Sequence, residues 1–477
     1  MSKPQFASPG SITRRQFIYY SALATGGVAL AGCTTPRPRR VSANEKLNIA
    51  GVGAGGKGAS DLRCCADENI VALCDVSEAC AAATRQKYPK AKFYKDFRVM
   101  LEKEKSIDAV DIATADHMHA VIAAMAIKMG KHVYCQKPLT HDVYEARMLS
   151  QLAREYKVAT QMGNQGSASD GLRRAVEVVH AGLIGPVRQA YVWTNRPLWR
   201  QGLERPAGSD PVPAGLDWDL WLGTAPWRPF KAHWPESVEG GRREVYQPWV
   251  WRGWLDFGTG ALGDMACHTV NWPFRALKLE YPTEIEAECE GLTKDMYPNR
   301  SRIRFEFPAR ADQPPVTLWW HDGGIKPPKE VTTSIVSLLD QVSGSGCLLV
   351  GDKGELFSSD DGDGDFCFFA KLKDDKELIR ATDHEAVKAI PQTIPRNPFK
   401  GGTDERQHQE WIAACKGGPP SYSNFDVAAY LTEIMLLGCV AMRTGKKLEW
   451  DGPNMLAKNA PEASQYVRRK YRRGWKL

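Results

Sequence analysis

The sequence lacks several features that would narrow its class at once. None of its 12 cysteines forms a Cys-x-x-Cys pair, which excludes a zinc ribbon as the organising element. The N-terminal apolar segment, Phe17 to Leu30, is too short and too rich in Gly and Ala to read as a membrane span. No internal repeat is visible, and no nucleic-acid module accompanies the net charge of +7, so no nucleic-acid partner is expected. Much of that charge comes from Arg468-Arg469-Lys470-Tyr471-Arg472-Arg473, which reads as part of a basic surface tail over residues 451–477. What remains is the composition of a soluble globular chain. It is 43% hydrophobic and 25% charged, and 477 residues suffice for two or three domains.

Residues 1–33 read as an address rather than as fold. Thr13-Arg14-Arg15-Gln16-Phe17-Ile18 resembles a twin-arginine export signal, and Leu30-Ala31-Gly32-Cys33 resembles a lipoprotein cleavage box. Either Cys33 is the lipidated first residue of the mature chain, or it is a chance cysteine in a plain signal peptide. Residues 34–46, rich in Pro, Arg, Ser and Asn, read as a tether. The expectation is a protein outside the cytoplasmic membrane, periplasmic or lipid-anchored through Cys33. The twin-arginine route carries chains already folded in a reducing cytoplasm. Buried free thiols are therefore expected over disulfides.

A Rossmann-type domain is expected over residues 47–168. The short strand Leu47-Asn48-Ile49-Ala50 runs into Gly51-Val52-Gly53-Ala54-Gly55-Gly56-Lys57-Gly58, and a helical pattern follows from Ala59. Gly51, Gly53 and Gly56 fit G-x-G-x-x-G, with Gly55 in the same turn. Glycines there allow a tight turn and a close backbone approach to a pyrophosphate, whose charge the helix N-terminus favours. The motif alone is weak evidence. Here a second strand, Ile70 to Cys74, ends in Asp75, where an acid grips the ribose hydroxyls. A carboxylate at that place repels a 2′-phosphate, so NAD is expected over NADP. Strands and helices then alternate, which implies a parallel sheet covered on both faces. Ligands of such sheets bind at the carboxyl ends of strands, where Thr114, His117, His119, Lys137, Asn164 and Gln165 fall.

Three further stretches carry candidate chemistry. In Cys135-Gln136-Lys137-Pro138-Leu139 a lysine stands at a strand mouth. It is either an ordinary solvated lysine or a cation able to bond a substrate hydroxyl. Asp264 and His268 are four apart, on one face of a helix. An acid orienting an imidazole is a general-base arrangement. Alternatively Asp264 is only an N-cap, or the pair is two-thirds of a metal site whose third ligand is not evident, and no metal is expected. Between them lies a long irregular stretch, 195–263, dense in Trp, Pro and Gly. Most of its tryptophans are expected to plug the loop against the core. Trp199, Trp251 and Trp254, with Trp193 just before, are the candidates for a sugar-stacking wall. Residues 169–450 then form a second α/β domain with antiparallel strands. Asp360 to Asp365 resembles a calcium loop only superficially and reads as an acidic turn.

With these motifs in order, the chain resembles the glucose–fructose oxidoreductase / inositol dehydrogenase / MocA (Gfo/Idh/MocA) family over residues 47 to 450. Ala113-Thr114-Ala115-Asp116-His117-Met118-His119, Gly182-Leu183-Ile184-Gly185-Pro186-Val187 and Leu448-Glu449-Trp450-Asp451 add to the likeness. Gln136 departs from it, standing where the family usually has Glu before the lysine. The resemblance implies a Rossmann domain and a C-terminal domain on a large open, mainly antiparallel sheet, often the interface of a homo-oligomer. It implies hydride transfer between a carbohydrate carbinol and NAD; the expected export to a place without a free NAD pool favours a retained cofactor. By position, His268 accepts the hydroxyl proton, Asp264 orients it, and Lys137 binds the reacting oxygen. Two alternatives stay open: a redox-neutral glycosidase working by transient oxidation, and a non-catalytic sugar-binding lipoprotein.

Overall fold

Alternation of short β-branched runs with amphipathic helices builds the first half of the computed structural model, which describes residues 36–239, 241–310, 313–359 and 366–477. Residues 1–33, where an export signal and lipidated Cys33 are expected, and the expected acidic turn 360–365 lie outside the described residues. From Arg37 to Leu477 the chain is one unit. Its first sheet is parallel, with β1 (Asn48–Val52), β2 (Asn69–Cys74), β3 (Lys92–Tyr94), β4 (Ala109–Ile112), β5 (His132–Gln136) and β6 (Thr160–Gly163) in the order β3-β2-β1-β4-β5-β6. Strand order reverses beside β1, which opens a crevice at the carboxyl ends of β1 and β4. Short polar residues start the connecting helices. Ser77 caps Glu78–Lys87, Asp96 caps Phe97–Lys103, and Asp142 with Glu145 forms a capping box on Val143–Tyr156.

The second sheet has ten strands. They are β7 (Val187–Trp193), β8 (Glu284–Glu290), β9 (Arg300–Phe307), β10 (Val316–His321), β11 (Gly346–Gly351), β12 (Gly354–Ser358), β13 (Phe369–Leu372), β14 (Ile379–Arg380), β15 (Leu448–Asp451) and β16 (Leu456–Ala457). Their order is β14-β13-β12-β11-β7-β10-β9-β8-β15-β16, and only β7 and β10 run parallel. The fold is thus α/β, a Rossmann sheet followed by a mixed, mostly antiparallel one. Period-two alternation sets its faces. On β9, Ile303, Phe305 and Phe307 are buried, while Arg300, Arg302 and Arg304 turn outward and pair with Glu290, Glu288 and Glu286 of β8. The helix Phe425–Thr444 is apolar and long enough to cross a membrane, yet it is buried against Val143–Tyr156, Gly260–Thr269 and β8. Among the described residues the eleven cysteines are free thiols.

Two expectations about the ends need correction. The tether is fixed from Arg37 on: Arg39 forks onto Asp108 at 2.8 Å, and Val41 is buried. The basic tail is a surface tail only in part, since Arg468, Lys470 and Arg473 are exposed while Arg469 and Arg472 are engaged. Arg469 Nε donates to Asp142 Oδ2 at 3.0 Å and its Nη2 to the His117 carbonyl at 2.9 Å; Tyr471 donates to Glu145 Oε1 at 2.5 Å. Asp142 and Glu145 are buried, so they need a counter-charge that composition alone could not place.

Candidate active site

The glycine turn is built for close approach. Gly53 has φ +83°, and a Cβ there would lie 2.5 Å from the Ala113 carbonyl oxygen. Gly56, at φ +51°, opens the helix Gly56–Cys64 with nothing within 4 Å of its Cβ position. Gly51 lets Leu62 pack against β1. Together they leave bare backbone and a helix N-terminus facing a cavity of about 500 Å³, a cradle that side chains would fill. Asp75, at the end of β2, is on its wall. Its Oδ2 accepts the Gly55 N–H at 3.3 Å and its Oδ1 the Ser77 N–H at 2.9 Å. Burial raises its carboxyl above the usual range, and these donors act against that. The donor set, bare turn plus carboxylate, fits the pyrophosphate and ribose of a dinucleotide.

The inner end of the cavity is cationic. Lys137 follows β5, and its Nζ donates to the Asp264 carbonyl at 2.9 Å and to Asp264 Oδ1 at 2.8 Å. Arg252 Nε donates to the same Oδ1 at 2.9 Å. Burial would raise the Asp264 carboxyl, but Lys137 and Arg252 hold it well below the usual range. The carboxylate expected to orient His268 is therefore engaged by two cations. His268 sits one turn further along the same helix, Gly260–Thr269, and is buried. Nearby, Asp116 accepts the Thr259 hydroxyl on Oδ2 at 2.8 Å. Burial pushes its carboxyl up to about 7, against the pull of Arg252.

Gln136, just before the lysine, has a local reason. Its Nε2 donates to Asp61 Oδ2 at 2.8 Å, deep in the Rossmann domain. A glutamate would put a second carboxylate against a buried one.

Of the residues singled out from sequence, Gly53, Gly55, Gly56, Asp75, Thr114, His117, Lys137, Gln165 and Trp251 line the cavity. Others stand behind it. His119 bridges the carbonyls of Pro138, at 2.8 Å, and Thr114, at 3.1 Å, and so ties the lysine loop to the end of β4. Asn164 donates to the Cys267 carbonyl and accepts from Ser167. Three tryptophans need correction as wall residues, because the rings are used to fill the chain's own interior. Trp193 lies in β7 stacked on Phe357, with its N–H on the Ser343 carbonyl. Trp254 lies inside a cluster with Trp218, Trp221, Phe230, Trp234, Tyr246 and Phe257, its N–H on the Val245 carbonyl. Trp199 is edge-on to Trp249, its N–H on Gln201.

Sequence reasoning missed Arg252, Asp116, Trp249, Trp221 and Trp475. Trp221, Trp249, Arg252 and Trp475 line the cavity, and Asp116 lies just behind it. One signal was available: Arg252 is a single cation in Trp249-Val250-Trp251-Arg252-Gly253-Trp254, and its guanidinium lies 4.3 Å from the Trp251 ring centroid.

Comparison with known proteins agrees with this architecture. The profile of an oxidoreductase family with an NAD-binding Rossmann fold, GFO_IDH_MocA, matches residues 47–164, and that of the family's C-terminal alpha/beta domain matches residues 178–312. The inositol 2-dehydrogenase of Salmonella typhimurium (strain LT2) is 29% identical over 146 residues, 29% of this chain and 43% of that protein. The D-glucoside 3-dehydrogenase of Escherichia coli (strain K12) is 32% identical over 138 residues, 29% of this chain and 38% of that one. The chain thus spans less than half the length of these curated relatives. Among solved structures, the WlbA dehydrogenase from Bordetella pertussis, in complex with NADH and UDP-GlcNAcA, superposes with a TM-score of 0.57 at 14% identity, covering 86% of this chain and 99% of that one. At that identity the likeness is one of fold. The two family profiles, in sequence order and together over more than half of the residues, establish that the chain belongs to the Gfo/Idh/MocA oxidoreductase family.

Proposed function

We propose that this chain is an NAD-dependent oxidoreductase acting on a carbinol carbon of a sugar, polyol or sugar derivative. The observation that carries the reading is the placement of Lys137. Its ammonium stands at the inner end of the dinucleotide cavity, held by the Asp264 carbonyl and carboxylate. NAD, when bound, supplies the two-electron acceptor for the carbinol C–H. The protein must bind the hydroxyl, take its proton and stabilise the developing oxygen charge. Lys137 is the cation for that oxygen, with Arg252 beside it. His268 is the candidate base, one helical turn from Asp264. Asp264 positions both cations rather than serving His268 alone. The sugar or polyol class is supported by the relatives named inositol 2-dehydrogenase and D-glucoside 3-dehydrogenase. NAD over NADP is supported by the ionisable Asp75 at the ribose position.

Release of NAD from denatured protein, followed by NADH absorbance with a panel of cyclitols, aldoses and glycosides, tests the reading. Absence of nucleotide binding, or no turnover with any member of the panel, overturns it. A second reading, a closed cycle on a retained cofactor, follows from the proposed export: Arg14, Arg15 and Cys33 argue for a place with no free NAD pool. Substrate turnover without added NAD, in deuterated water, separates the two. Repeated turnover with solvent deuterium at the neighbouring carbon supports the cycle, and one free NADH per substrate shows an ordinary dehydrogenase. Membrane fractionation of Cys33→Ala tests the anchor, since unchanged fractionation removes it.

A further inference from the structure

The last ten residues return from the second domain to the Rossmann domain and end on its cavity. Two anchors set their path. Arg469 reaches Asp142, the His117 carbonyl and the Thr224 hydroxyl, and Arg472 donates from its backbone to the Thr224 carbonyl at 3.0 Å and from Nε to the Gly223 carbonyl at 3.0 Å. The chain then turns, Trp475 N–H bonding the Arg472 carbonyl at 3.1 Å, and places the Trp475 indole on the cavity wall. The ring is held there by Phe97, at 6.1 Å between centroids, and by the Arg98 guanidinium, 4.4 Å from its own centroid.

The cavity has two chemically distinct ends. Lys137, Arg252 and Gln165 mark the polar one. On the Asp75 side, Val76, Phe97, Met118, Ile122 and Trp475 give apolar surface, with Lys95 and Asp96 lining it beside Phe97. An acid after the second strand holds the adenosine ribose in this kind of sheet, so the base attached to that ribose must lie on its far side. An apolar, aromatic wall is the surface a purine ring accepts. We propose that Trp475 is a binding residue for the adenine of the dinucleotide, and that the C-terminal segment is thereby part of the cofactor site. The proposal rests on the reading of the cavity as a dinucleotide site and adds which part of the chain holds the adenine half. Because the indole is fixed by Phe97 and Arg98 before any ligand enters, little ordering is needed on binding.

The test compares three ligands on full-length protein: NAD, ADP-ribose, which keeps the adenine half, and nicotinamide mononucleotide, which lacks it. Trp475→Ala should raise the dissociation constants of NAD and ADP-ribose by about tenfold, the scale of losing an aromatic contact with a base. It should leave nicotinamide mononucleotide unchanged, and Trp475→Phe should restore most of the loss. Unchanged NAD and ADP-ribose affinity in Trp475→Ala overturns the proposal. So does an equal loss for all three ligands, which would mark a general deformation. If wild-type protein binds none of the three, the dinucleotide reading itself fails, and this proposal with it.

Discussion

The two ends of the cavity are made differently. The phosphate and ribose end is local: residues 51–56 and Asp75 lie within 25 positions of one another, and much of what they offer is backbone. The reacting end is assembled from Lys137, Arg252, Asp264 and Gln165, contributed by both domains and separated by up to 127 positions. A local site tolerates change elsewhere in the chain. An assembled one depends on how the domains are set against each other. The nucleotide end is therefore legible in one short stretch, whereas the reacting end shows only scattered motif residues until the folded chain brings Arg252 and Asp264 onto Lys137.

The comparison breaks most visibly at the reacting end. Lys137→Ala should lower kcat by roughly 10²-fold or more while NAD affinity barely moves, as measured by steady-state kinetics and titration. His268→Ala should do the same, and wild-type turnover in either variant removes that residue from the chemistry. At the other end, Gly53→Ala should cost tenfold or more in NAD affinity, since its Cβ would sit 2.5 Å from the Ala113 carbonyl oxygen in a left-handed backbone region. An unchanged affinity would mean that the turn does not bear on the phosphates. Asp75→Ala should weaken NAD by about tenfold and reduce its preference over NADP, because a charge-assisted bond to ribose is lost. Equal loss for both cofactors would deny Asp75 the selecting role.

Smaller effects sharpen the boundary between the ends. Asp116 keeps its proton up to about pH 7 in the folded chain, whereas a free carboxyl loses it near 4. The folded state binds that proton across the interval, so stability falls as pH rises from about 4 to 7, by as much as about 4 kcal/mol. Asp116→Asn should flatten this dependence in denaturant unfolding at a series of pH values; an unaltered pH profile would show that the group titrates normally. Smallest of all, Trp251→Ala should raise KM several-fold, whereas Trp193→Phe should leave KM unchanged because Trp193 packs inside the second sheet.

Much of the fold could be read in advance because its signals are local: glycines between strand and helix, acids and serines at helix starts, alternation in β9. Lys137 and Asp264 were visible as motif residues, but not that they bond each other. Charge alone misread part of the tail. Arg469 and Arg472 resemble any surface cations until Asp142, Glu145 and Asp219 are seen facing them. The tryptophans divide on packing geometry, which spacing does not carry: Trp251 and Trp249 reach the cavity, while Trp193 and Trp254 face the interior.

The ion pair between Lys137 and Asp264 also bears on modularity. Family profiles match this chain in two pieces, yet Lys137 belongs to one piece and the groups that hold it, Asp264 and Arg252, sit on or beside the other. Beyond both matched pieces, the helix Thr403–Cys415 also holds the first domain: Asp404 accepts from Lys57 of the glycine turn at 2.7 Å, and Gln407 from Tyr134 of β5 at 2.7 Å. The two pieces are therefore not interchangeable parts. A chimera that borrowed the first domain from a relative could bind nucleotide normally and still aim its lysine at the wrong place. Inheritance and engineering of this chain act on the seam.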